Sequence, residues 1–391
     1  MKVNRWTKVL IGCGLLSIPA VLSAEETPGP LLTAVSSTTL SGYVDTSAQW
    51  NLGTGNAGVP TYSFSGGKAD GFNLNVVKLM LEKPLDESQW AAGYKVDLLF
   101  GPDANYLSTS STGIDSSDFA IKQAYVALRA PIGNGLDLKM GVWDTVIGYE
   151  VFESPYNPNH TRSYGYTIEP TTHTGLLASY KFSDLISATA GVANTVGPNI
   201  NENADPEKAE SYKAYMGSVT LTAPESLGFL AGSTLTGGVV NGFNSATPDG
   251  SSSSYIPGDQ TSWYVGGTFT TPIEGLKVGA CYDYLSIDDQ PLRGSTYANA
   301  SALYASFKLT EKMTLYGRGE YATSGNPLLY GAEKVVAVTG TLQYDLWKNV
   351  LSRLEFRWDH AADGTEPYGG EDSAGGKKNS YIIMANIAYK F

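Results

Sequence analysis

In the stretch Val350-Leu351-Ser352-Arg353-Leu354-Glu355-Phe356-Arg357-Trp358-Asp359-His360, apolar Leu354, Phe356 and Trp358 stand between charged Arg353, Glu355, Arg357 and Asp359. Successive side chains of a β-strand point to opposite faces, so this segment has one greasy face and one face of alternating bases and acids. A helix would scatter both sets around its surface. The same period of two recurs nearby. In 313–323, Met313, Leu315 and Tyr321 alternate with Tyr316, Arg318 and Glu320, and in 276–287, Val278, Ala280, Tyr282 and Tyr284 alternate with Lys277, Cys281 and Asp283. Leu136, Leu138, Met140 and Val142 likewise alternate with Asp137, Lys139 and Gly141. A soluble β-sandwich also alternates; what separates the two cases is the second face, which here mixes acids, bases, Gly and Tyr as a wall against water requires.

Outward from 350–360, the chain divides into runs bounded by Gly, Pro, Asn, Asp or Ser. The spacing predicts strands at 40–50, 71–83, 89–99, 119–129, 136–147, 174–182, 186–195, 211–222, 230–241, 261–271, 276–287, 298–309, 313–323, 334–346, 350–360 and 380–391. The connections alternate between short, such as 131–135, 183–185, 310–312 and 347–349, and long, such as 51–70, 101–118, 148–173, 242–260 and 361–379. That alternation predicts an all-β fold: a transmembrane antiparallel β-barrel of about sixteen strands with short periplasmic turns and long extracellular loops. Closure follows from the solvent, because lipid offers no partner for the open edge of a sheet. A barrel of this size is too wide for side chains to fill and encloses water.

Composition agrees. Mean hydropathy is −0.14, and 44 Gly, 25 Tyr and 12 Phe accompany few helical patterns. Lys2, Arg5 and Lys8 precede an apolar run from Val9 to Ala24 that contains Pro19 and ends on Ser23 and Ala24, so 1–24 reads as a secretory signal peptide, too short for a span of roughly 20 residues. The box Leu10-Ile11-Gly12-Cys13 also has the form of a lipoprotein site, but too little apolar chain precedes it. Residues 25–39 then form a short periplasmic segment and 40–391 the barrel. Cleavage would leave Cys281 alone, without a partner for a disulfide. Acidic residues outnumber basic ones by 38 to 26, which argues against nucleic acid as a partner.

The last strand puts Tyr381, Ile383, Ile387, Tyr389 and Phe391 on one face. Its terminal aromatic residue resembles the signal by which outer-membrane proteins engage the barrel-assembly machinery, so Phe391 is the expected contact with that machinery. The 148–183 stretch carries a second resemblance. Gly148-Tyr149-Glu150, the 157–163 stretch with Arg162-Ser163, Pro170, Thr172-His173-Thr174-Gly175 and the opening Leu40-Ser41-Gly42-Tyr43-Val44-Asp45 resemble the putative β-barrel porin type 2, or OmpL-like, family. The resemblance implies a porin fold over the whole mature chain, in the outer membrane of a Gram-negative-type bacterium, and says little about substrate.

Loop 148–173 is the longest connection, and a loop of that length usually has a function. We expect it to fold inward as a constriction, with Glu150, Glu153, Arg162 and Glu169 projecting into the channel; the plainer reading is an extracellular loop packed on its neighbours. Lys139, Arg318, Glu320, Arg353, Glu355 and Arg357 are the expected pore-lining charges of the wall. The expected function is passive diffusion of small hydrophilic solutes and ions, with a modest cation preference because acids outnumber Arg162 in the constriction and dominate the outer loops. A substrate-specific channel for sugars or organic acids is the alternative, marked by lumen aromatics such as Trp143 and Tyr316. A barrel hydrolase is a remote third reading: His360 and Asp359 face opposite sides of a strand, and His173 lacks a nucleophile elbow. No metal-ligand spacing accompanies the histidines and no cofactor is expected. Outer-membrane lipids are the expected surroundings and a homotrimer the expected assembly.

Overall fold

In the computed structural model, residues 37–391 are described except 54, 61–67, 108, 110–117, 205–211, 244–258, 291–293, 327–328 and 372–375. The expected signal peptide, the 25–36 segment and the tip of the 242–260 loop lie outside the described residues. Sixteen strands form one closed antiparallel barrel in chain order. They are β1 (Thr39–Asn51), β2 (Gly71–Lys83), β3 (Ala91–Phe100), β4 (Phe119–Ala130), β5 (Leu136–Asp144), β6 (Thr172–Lys181), β7 (Ile186–Ala193) and β8 (Ala214–Thr222). The second half comprises β9 (Thr234–Phe243), β10 (Asp259–Thr270), β11 (Leu276–Gln290), β12 (Gly294–Lys308), β13 (Met313–Ser324), β14 (Lys334–Trp347), β15 (Val350–Ala361) and β16 (Asn379–Lys390).

The segment that set the reading behaves as its alternation requires. Along β15, Arg353, Glu355, Arg357 and Asp359 are buried inside the barrel, whereas Leu354 and Phe356 are exposed on the outer face. Exposed aromatic residues ring both ends of that face: Trp50, Phe72, Phe100, Phe119 and Trp263 near the long loops, and Trp90, Phe182, Phe229, Trp347, Tyr389 and Phe391 near the short turns. Such girdles suit the two edges of a bilayer. The barrel closes between β1 and β16, where Gly42 and Phe391 exchange backbone hydrogen bonds of 3.0 Å.

Several strand ends differ from their expected positions. β5 stops at Asp144, not Ile147, because Val146 and Ile147 turn inward and bury against Trp143, Leu177 and Met216. β9 starts at Thr234 because 225–230 forms a 3-10 turn that presents Leu227 and Phe229 to the aromatic rim. β11 and β12 extend towards each other to Gln290 and Gly294, so the 291–293 connection is short although it lies on the long-loop side. Lengths therefore alternate less strictly than ends do.

Candidate functional site

The 145–171 connection leaves β5 and runs inside the barrel to the far wall. A bond from the Thr145 amide to the Thr171 carbonyl at 2.9 Å closes its neck. Gly148 follows at φ +117, a conformation that suits glycine, and a Cβ there would stand 2.3 Å from the Glu169 carboxyl. Asn157 clamps the first half, accepting from the Val151 amide at 2.9 Å and donating to the Val151 carbonyl at 2.6 Å. The second half contains a short helix, α1 (Tyr164–Ile168), whose cap Ser163 accepts from the Tyr166 amide at 3.1 Å. The wall beneath α1 is lined by small residues at alternate positions, Ala298, Ala300, Ala322 and Ala337, which pack with Tyr164 and Ile168 in one buried cluster.

Two sets of charges fasten this loop. On β2 and β4, Lys78 and Lys122 reach Glu153 at 2.5 and 3.1 Å. Lys78 also meets Asp97 at 2.9 Å and Lys122 meets Asp144 at 2.5 Å. Lys122 gets there through a β-bulge: Asp97 pairs with Gln123 and Leu98 with Ile121, so Lys122 is the extra residue, and both it and Gln123 are buried inside. On β12 to β15, Arg318 meets Glu150 and Glu320, each at 2.7 Å, and donates to the Thr161 carbonyl at 2.7 Å. Tyr304 donates to Glu150 at 3.1 Å. Glu355 accepts from the amides of His160 and Thr161 at 2.6 and 2.9 Å, and Arg353 donates to the Ser154 carbonyl at 2.8 Å. Arg357 donates to the Arg162 carbonyl at 2.6 Å and pairs with Asp359 at 3.0 Å.

These contacts correct the expected assignments. Arg318, Glu320, Arg353, Glu355 and Arg357 do not line open water; Arg318 and Arg357 are 2% and 0% exposed. They are sealed between wall and loop because buried charges persist only when paired and hydrogen-bonded, and the loop supplies those partners. Arg162 is buried too, donating to the carbonyls of His160 and Phe152. Of the expected charges, Lys139, Glu150, Glu153 and Glu169 line the remaining cavity. Trp143 is buried against the wall while Tyr316 lines the cavity. Sequence reading missed Lys78 and Lys122. Lys78 was legible, since Lys78, Met80 and Glu82 alternate in 71–83; Lys122 was not, since only the bulge turns it inward.

The cavity beside the loop has a volume of about 590 Å³. One side carries Lys78, Lys95, Lys122 and Lys139, and another carries hydroxyls from β7 to β10, Thr189, Ser218, Thr220, Thr236 and Thr268. Those hydroxyls pair along the wall, Thr189 with Ser218 at 2.6 Å and Thr220 with Thr236 at 2.9 Å. Tyr149 of the loop stacks on Tyr304 at 4.1 Å.

Electrostatics differ along the loop. Burial would raise the Glu153 carboxyl, but Lys122 and Lys78 outweigh it and hold the group well below the usual carboxylate range. Burial and then the neighbouring Asp283 carboxyl push Glu169 well above it. His160 faces the Ser154 hydroxyl at 2.9 Å. Burial, reinforced by Arg162 and Arg353 against the pull of Glu355, lowers the His160 ring to about 3, too weak a base to activate a nucleophile near neutral pH.

A closed sixteen-stranded barrel with a greasy exterior, a charged interior and a loop tied across its lumen has the architecture of a porin. The chain belongs to the family described as putative beta-barrel porin-2, OmpL-like, whose model matches residues 37–391. Solved structures share the fold. The anion-selective porin from Comamonas acidovorans is 13% identical, with a TM-score of 0.59, over 91% of this chain and 99% of that one. OmpF of Salmonella typhi, solved with daunomycin, is 12% identical with a TM-score of 0.58, over 90% and 97%. OmpT of Vibrio cholerae is 15% identical with a TM-score of 0.54, over 90% and 97%. At these identities the likeness is one of fold. No curated protein matches the chain.

Proposed function

We propose that this protein is a non-enzymatic porin, a water-filled channel for passive diffusion of small hydrophilic solutes and ions. The observation that carries the reading is the cavity, lined in part by lysines, acids and hydroxyls, left open between the inward loop and the β2–β12 wall, inside a barrel whose outer face suits lipid. The 145–171 loop acts as the constriction, and its ion pairs keep it from sweeping the pore. Residues 1–24 direct export and are removed, the short turns face the periplasm, Phe391 serves assembly in the outer membrane, and the barrel works as a homotrimer. Ion preference is modestly cationic and arises at the rim, where Asp70, Asp118, Glu333 and Glu366 are exposed. Inside, Glu150 and Glu153 are matched by Arg318, Lys78 and Lys122. A rim field decays over about 8 Å at physiological salt, so the preference falls as salt rises. Single-channel recording in planar bilayers tests the reading. Ohmic unit currents with a cation-leaning reversal potential that shrinks at high salt are expected; absence of conductance from folded protein refutes the channel, and anion selectivity refutes the rim account.

A further inference from the structure

We propose that Lys95 and Lys139, with the ring of Tyr125, form a binding site for small organic carboxylates inside the channel. This inference rests on the channel reading above and adds a solute class to it. Of the five lysines along the cavity, Lys277 lies on β11 and the other four fall into two pairs. Lys78 and Lys122 are committed to Glu153, Asp97 and Asp144 at 2.5 to 3.1 Å. Lys95 is not: its nearest acid, Asp97, is 3.8 Å away, beyond hydrogen-bond range. The Asp97 oxygen it approaches already accepts from Gln123 and pairs with Lys78, each at 2.9 Å. Lys139 has no ion pair among the described residues, and its ammonium lies 4.7 Å over the Tyr125 ring. Each ammonium has three N–H donors, and both side chains line the cavity.

Register places the three side chains together. Lys95 on β3 stands opposite Tyr125 on β4, and Lys139 on β5 stands opposite Ala127, the next inward position of β4. Neighbouring strands are about 5 Å apart, so the Lys95 and Lys139 positions lie on either side of Tyr125 along the inner wall. The floor beside it is low, because Tyr125 pairs with Gly141 across β4 and β5. The neighbouring acids are Glu82, in register with Lys95 on β2, and Asp97 and Asp144, which Lys78 and Lys122 already engage at 2.9 and 2.5 Å. Lys95 and Lys139 are thus left without a carboxylate in hydrogen-bond range among the described residues, in a narrow space where screening is weaker than in bulk water. A carboxylate has two acceptor oxygens for two ammoniums and gains charge-assisted hydrogen bonds from both. Bulk ion preference is set at the rim, so this site governs how long an acidic solute dwells inside, not the reversal potential.

The test uses the full-length mature protein in planar bilayers, with gluconate as the carboxylate probe, glucose as its uncharged counterpart and inorganic phosphate as the competing anion. Gluconate is expected to lower unit conductance saturably, and glucose is not. Replacing both lysines, Lys95→Gln with Lys139→Gln, raises the half-blocking concentration about tenfold, the equivalent of one good charged contact. Glu82→Gln lowers it about threefold by removing the local repulsion, whereas Lys181→Gln, at a turn outside the cavity, leaves it unchanged. An open channel that gluconate and glucose affect alike overturns the site while upholding the porin. So does a double variant blocked like the parent, or block by phosphate stronger than by gluconate. If folded protein does not conduct, the channel reading fails, and saturation-transfer NMR of gluconate with folded protein in detergent decides the site: transfer lost in the double variant supports it, and no transfer overturns it.

Discussion

Glu153 and Glu169 sit in the same loop and titrate in opposite directions, because two lysines face one and a second carboxyl faces the other. Glu153 has its folded value below the ordinary 4.5, so its fastening is present above that pH and lost as pH falls through the lower folded value. His160, lowered to about 3 from 6.5, loses its contribution in the same acid direction. Glu169 has the reverse sign: what it contributes is complete below 4.5 and lost as pH rises through its raised folded value. Current noise from loop motion should therefore increase at both extremes of pH. Glu169→Gln is expected to abolish the alkaline increase and keep the acid one. An alkaline increase unchanged in that variant would show that another group titrates.

At the scale of elements, the inward loop depends on what the wall does not carry. Ala298, Ala300, Ala322 and Ala337 are buried small residues beneath Tyr164, and Gly165 approaches Asp283 so closely that a Cβ would stand 2.3 Å from its carboxyl. Gly165→Val must push α1 off β11 into the lumen; unit conductance falls and stability drops by about 1–3 kcal/mol, as for other overpacked interiors. Conductance equal to the parent's would mean that α1 does not border the path. Ser163→Ala, which removes the helix cap, should cost about 1 kcal/mol in denaturant midpoint. The alternating alanines were legible as a pattern in 298–302, but nothing local says that a loop from β5 presses on them.

For the whole molecule, closure and orientation are the testable properties. Phe391 completes the seam by exchanging backbone bonds with Gly42 and adds its exposed ring to the girdle. Deleting it is expected to lower the yield of barrel in the outer membrane while export continues, read as the fraction of heat-modifiable protein in membrane fractions; undiminished yield would remove Phe391 from assembly. β1 begins and β16 ends at the short-turn end. An epitope within 133–135 should stay unlabelled on intact cells and one within 244–258 should be labelled. The reverse pattern would invert the barrel.

The sequence by itself determined the sheet. Alternation is a local property, and it placed Arg353, Glu355, Arg357 and Asp359 inside and Leu354 and Phe356 outside without knowledge of any neighbour. The strand number, the closed topology and the outward face of β16 followed from the same period together with the hydrogen-bond demand of lipid. Only the tertiary structure decided which charges meet water. Glu150 finds Arg318 and Glu153 finds Lys78 because the loop crosses the lumen, and those partners lie far apart in the chain. Ion pairing depends on distance through space, which period two does not encode. So Arg318 and Arg357 became fasteners and Lys95 and Lys139 were left facing the cavity.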